Sequence, residues 1–129
     1  MSKKITIAKL LENKDKLKNK KAKRQTLYVD SLEGEIVIQQ PEKSVALEAL
    51  EMTQDSERED LADPYLVYHC VVEPNLKDPA LQQEFGCAEP MDIVDMIFLP
   101  GEVATIGGFA MKLAGYGKGV KAVDDEIKN

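Results

Sequence analysis

Apolar residues recur at two different periods along this chain, and the changes of period mark its elements. Ile7, Leu10, Leu11 and Leu17 fall at helical spacing with Lys, Glu and Asn between them, and Thr6 or Ser2 can cap the start. This predicts a helix over residues 6–20 that packs lightly, because the stripe is thin and only Ala22 is apolar between Lys18 and Arg24. From Gln25 to Gln40 the period drops to two. Leu27 and Val29 flank Tyr28, Ile36 and Ile38 flank Val37, and Asp30–Gly34 lies between them with the Gly that a longer hairpin loop needs. A β-hairpin follows, and since two strands alone are marginal in water, helices should cover one face. Pro41 then ends the second strand, and Val45, Ala46, Ala49, Leu50 and Met52 give a helix its apolar face. Thr53–Leu61 is a polar, mobile loop in this reading.

The densest apolar stretch, Asp63–Glu102, contains both cysteines, the one histidine and the sharpest helix punctuation. Asp63-Pro64, Asp78-Pro79 and Glu89-Pro90 each read as an N-terminal residue followed by proline in a first turn, where its missing N–H is harmless. The first of these helices is expected to present Tyr65, Leu66, His69, Cys70 and Val72 and to end before Pro74. The second closes at Gly86, and the third buries Met91, Val94, Ile97 and Phe98. A fourth starts at Leu99-Pro100-Gly101-Glu102, runs through Val103, Ile106, Ala110 and Leu113, and stops at Gly115. The predicted fold class is α+β: a small antiparallel hairpin sheet packed against five to six short helices, with a basic helix in front. The expected organisation is an arm over residues 1–24, a core domain over 25–115 and a flexible glycine-containing tail over 116–129. Val120–Val123 reads equally as a short strand or as part of a frayed end.

Charge sharpens that division. The net charge of −6 is distributed as +8 over residues 1–24, where ten Lys/Arg face Glu12 and Asp15, and −14 over the remainder. A charged terminal helix is commonly just solvated; otherwise such an arm docks onto an acidic surface. An acidic body repels phosphates, which weakens the case for nucleic acid. No apolar run is long enough to span a membrane, the interrupted N-terminus does not read as a signal peptide, and two cysteines make no secreted framework. A cytoplasmic protein with reduced thiols is therefore expected. Few aromatics and no Trp argue against a base-stacking surface.

Candidate chemistry is thin. Adjacent residues on a helix point about 100° apart, so His69 is badly placed to activate Cys70. Cys87 has no accompanying oxyanion or Asn/Asp motif. His69, Cys70 and Cys87 make too few soft ligands for zinc and contain no CxxC. The acids Asp55, Glu57, Glu59, Asp60 and Asp63 lack calcium-loop spacing and its central Gly. Gly107-Gly108 lies inside a helical run, where a phosphate loop does not belong; close approach of another chain segment, or a hinge, explains it better. The reading predicts no catalytic residue, no metal and no cofactor. It points instead to protein contact through Val94, Met96, Ile97, Phe98 and Met111, the methionines offering an adaptable surface. The other classes considered are a nucleic-acid-binding or regulatory module using residues 1–24 and a cysteine-dependent enzyme.

The runs TLYVDSLEGEIVI, SVALEALEM, YLVYHCVVEPNLKDPALQQEFGC, EPMDIVDMIFLPGE and KLAGYG with a VDDEIKN ending resemble, in that order, the XkdN-like phage tail assembly chaperone family. VVEPNLKDP and the EP-DIVD-IF-PGE pattern are the most specific parts. The resemblance implies a non-catalytic chaperone in a host bacterial cytoplasm that binds the tape-measure or tail-tube protein during assembly. It brings no catalytic or metal residues. Its conspicuous positions here, Glu73–Leu76, Asp78, Pro79, Pro90 and Asp92–Asp95, read as caps, corners and one core helix.

Overall fold

The computed structural model describes residues 4–123. Two short helices, α1 (Ile7–Glu12) and α2 (Lys14–Lys18), precede strands β1 (Arg24–Val29) and β2 (Gly34–Gln39). After α3 (Lys43–Thr53) and α4 (Ala62–Cys70) comes strand β3 (Val71–Glu73), then α5 (Pro79–Glu84), α6 (Asp92–Ile97) and α7 (Pro100–Leu113). The three strands form one antiparallel sheet in the order β1-β2-β3. The fold is thus α+β, as the alternation of periods indicates, with a third strand added to the hairpin.

That strand comes from residues that read as the end of a helix. Val72 was expected on the helix, but Val71 is already extended and closes α4. Pro74 disfavours helical geometry at the residue before it, which pushes Glu73 into the extended region and into register with Val37. Three residues are too few to show a period of two. The hairpin loop also differs in detail: the left-handed residue is Glu33 at φ 51°, while Gly34 opens β2.

Leu27, Val29, Ile36 and Ile38 share the inner face of the sheet, and all but the half-buried Leu27 are buried. α4 lies at the centre of the helical layer, against α3, α6 and α7, and buries Ala62, Leu66, Val67 and Cys70. Ile93 and Val94 from α6, Phe98, and Val103, Ile106 and Ala110 from α7 complete the core. Ile93 lies outside the buried set expected for that helix, whereas Met91, Ile97 and Leu113 reach only partial burial. Asp63 and Glu89 are not caps: Leu61 and Met91 stand at those positions. Asp78 is the true cap, accepting from Ala80 N–H at 2.8 Å and Leu81 N–H at 3.2 Å. The Glu102 carboxylate accepts from Leu99 N–H at 2.9 Å and satisfies one free donor at the start of α7. The Thr53–Leu61 loop is held by Arg58, whose guanidinium contacts Glu48 and Asp55, each at 2.9 Å.

Gly107 leaves room for the Asp63 side chain where α4 and α7 pack. A methyl group added there would lie 2.7 Å from Asp63 Oδ1 and 3.3 Å from its Cγ, whereas one at Gly108 meets nothing within 4 Å. Gly108→Ala is therefore expected to raise stability by about 1 kcal/mol, the helix-propensity difference. Gly107→Val should lower it by about 1–3 kcal/mol through overpacking. Urea melts of the two variants check the opposite signs.

Candidate protein-binding surfaces

Neither α1 nor α2 contributes to the core. Thr6 Oγ1 accepts from Lys9 N–H at 3.1 Å and caps α1. Asn13, with φ −103° and ψ 15°, breaks the helix, and its side chain donates to Lys9 O at 3.0 Å. The single light-packing helix expected over 6–20 is thus two short pieces, and neither buries a residue. Ile7 is 76% exposed and Leu11 64%, and Leu10 and Leu17 are exposed as well. Helices of this length are not self-supporting in water, and their stability ordinarily comes from packing an amphipathic face. Here that face is bare.

A second surface lies where the sheet meets α7. β1 is an edge strand, and between it and α7 runs a groove of about 600 Å³, walled by β1 on one side and by Leu99, Glu102, Thr105, Ile106 and Phe109 on the other. Tyr28 is 62% exposed, and Leu99 and Phe109 also reach solvent. The sequence reading missed this groove, because it needs both the strand order and the position of α7.

The residues singled out from the sequence divide in two. Val94 and Phe98 belong to the core at 0% and 3% exposure, so they support a surface and do not form one. Met96 is exposed, and Ile97 and Met111 are half-buried. A strip of apolar residues along a helix does not say which side turns inward until its neighbours are known, and α6 turns Val94 toward the other helices.

The family profile described as Phage XkdN-like tail assembly chaperone protein, TAC, matches residues 4–128, almost the whole chain. The chain belongs to this family. No curated protein and no solved structure matches it. Membership makes the chain a phage tail assembly chaperone in general role. None of the described helices of this tail assembly chaperone is long and apolar enough to cross a membrane.

The histidine and thiols of this XkdN-like chaperone sit in scaffold positions. His69 packs edge-on to the rings of Tyr65 and Tyr68 and accepts from Lys77 Nζ at 3.1 Å through Nδ1. Burial, then the Lys77 charge, lowers its pKa, with Glu42 acting weakly in the opposite sense. Cys70 is buried, and burial pushes its thiol up to about 11. The half-buried Cys87 places Sγ 3.8 Å from Met96 Sδ. Among the described residues no group of three acidic, His or Cys side chains is placed to hold a metal ion.

Two outcomes follow. Iodoacetamide at pH 8 should modify Cys87 in the folded protein and reach Cys70 only after unfolding, as mass spectrometry of the peptides would show; the thiolate is the reactive form. His69 binds a proton less readily folded than unfolded, so its stabilising contribution is present above the unfolded pKa near 6.5 and is lost as pH falls through the lower folded value. His69→Gln should flatten the decline in melting temperature across that acid window.

Proposed function

We propose that this chain is a cytoplasmic, non-catalytic assembly chaperone that holds a phage tail component, the tape-measure or tail-tube protein, until it is incorporated. One observation carries the reading: Ile7, Leu10 and Leu11 stand exposed on one helical strip, unburied by anything among the described residues. Anchors at i, i+3 and i+4 are the pattern by which an amphipathic helix enters an apolar groove of a partner. Lys9, Lys14, Lys16 and Lys18 around the strip favour an acidic partner surface and speed encounter with it. In this reading residues 1–24 are the docking arm, and the exposed Met96 and half-buried Ile97 and Met111 are adaptable secondary contacts.

Co-expression of the full chain with each tail protein, followed by size-exclusion chromatography, should give a joint peak with one of them. The variant Ile7→Glu/Leu10→Glu/Leu11→Glu should elute apart from that partner while its melting temperature stays within about 2 °C, since these side chains contribute nothing to the core. Separate elution of the unaltered chain from both proteins overturns the proposal, and an undiminished joint peak with the variant removes the arm from it.

A second reading has its own observation. Lys16, Lys20, Lys21 and Lys23 line a cleft of about 540 Å³ beside the C-terminal end of α7. Nucleic acid bound there would show an affinity that falls steeply with salt and disappears on deleting residues 1–24. Salt-independent or absent DNA binding rejects it.

A further inference from the structure

Among the described residues, β1 ends the sheet with its hydrogen-bonding edge uncovered. Gln40 N–H donates to Lys23 O at 2.7 Å, which fixes that pair as a bonded one just outside the strand. Bonded and non-bonded pairs alternate in an antiparallel ladder. Gln25–Ile38, Leu27–Ile36 and Val29–Gly34 are therefore the bonded pairs of the observed register. The N–H and C=O groups of Arg24, Thr26 and Tyr28 face the other way, and for Thr26 and Tyr28 no backbone partner is present among the described residues. Exposed edges of this kind are normally blunted by proline, a bulge, inward charge or a covering element. β1 has no proline, its pairing with β2 is unbroken, and the one irregularity in the sheet lies on the far side of β2. Beside the open edge runs the groove above α7.

We propose that β1 accepts an extended segment of the partner protein as an additional antiparallel strand, its inward side chains seated in the groove over Leu99, Ile106 and Phe109. The proposal rests on the reading that the chain holds a tail protein, and adds to the arm a second mode of contact. A strand placed one sheet spacing beyond β1, about 4.8 Å, continues the pleat and puts alternate side chains on the α7 side. Main-chain bonds to Thr26 and Tyr28 then supply affinity and the groove supplies selectivity.

Charge fixes the chemistry of that segment. Lys23 and Arg24 stand at one end of β1, and Asp30 and Glu102 stand at the other. An antiparallel segment enters beside the acids and leaves beside the bases. It therefore carries Lys or Arg before its apolar alternation and Asp or Glu after it. A second copy of this chain is a poorer occupant, because it brings another body of −14 charge against the first. A lone extended segment brings no such repulsion.

The probe is a capped peptide, Lys-Val-Thr-Val-Thr-Val-Glu, and a form N-methylated on the alternate amides that would face β1. The full chain should bind the first by titration calorimetry and the second at least tenfold more weakly. Thr26→Pro removes an outward N–H while sparing the β1–β2 ladder, as edge-strand proline does, and should weaken peptide binding at least tenfold. Thr26→Ala keeps the donor and should bind as the unaltered chain does. Equal binding of the methylated peptide, or no binding of the plain one, overturns strand addition without needing any variant to fold. A dimer by light scattering that Thr26→Pro converts to monomer assigns the edge to self-pairing and overturns it too. A tail protein that co-elutes undiminished with Thr26→Pro refutes strand addition and leaves the chaperone reading standing. One that fails to co-elute even with the unaltered chain removes both.

Discussion

The packing of α4 against α7 is what the rest of the molecule is arranged around, and Gly107 leaves room in it for the Asp63 carboxylate. A methyl group at position 107 would crowd the Asp63 carboxylate, which must shift to admit it. Burial raises the pKa of that carboxylate, so the crossing keeps a charged group partly dehydrated in order to bring the helices together. With α4 seated, Leu66, Val67 and Cys70 meet α3, α6 and the sheet, and α7 is turned so that Val103, Ile106 and Ala110 face inward. Thr105 and Phe109 are left along the side that borders β1. The groove is thus a consequence of the helix crossing: the same rotation that buries one side of α7 aims another at the sheet edge.

Sequence pattern reached the elements well where a period or a cap was repeated. The hairpin came from the alternation of Leu27, Val29, Ile36 and Ile38, α5 from Asp78-Pro79 and its closing Gly86, and α7 from Leu99-Pro100 and the stop at Gly115. It failed where tertiary contacts decide. Val71 and Val72 are apolar enough to continue a helix, and it takes Pro74 behind them and β2 alongside to make Val71–Glu73 a strand. Asp63 looks like a cap but stands inside the first turn of α4, because Leu61 and Ala62 are already helical. Val94 and Met96 are both apolar residues on one short helix, and nothing in their spacing says that the first is sealed and the second exposed. Gly107-Gly108 was recognisable as a place of close approach, yet which of the two glycines matters, and against what, requires α4. The tail from Val120 to Val123 forms no strand, and the rest of that expectation falls outside the described residues.

Family membership and geometry meet on one physical property. The chain keeps a well-formed core while an amphipathic N-terminal segment and a strand edge find no partners among the described residues. Both features cost stability or risk aggregation in a protein that works alone. Both suit a protein that exists to cover another one. The acidic body disfavours self-association of those surfaces, and in the proposed reading the basic N-terminal segment draws an acidic partner toward them.

Hydrogen–deuterium exchange of the chain, alone and with its co-purified tail protein, tests that account most directly. The account predicts fast exchange over residues 4–18 and at Thr26 and Tyr28 in the free chain. In the complex both regions should be protected, with the core helices unchanged. A complex that leaves those amides exchanging as in the free protein, with protection confined to other faces, would contradict it.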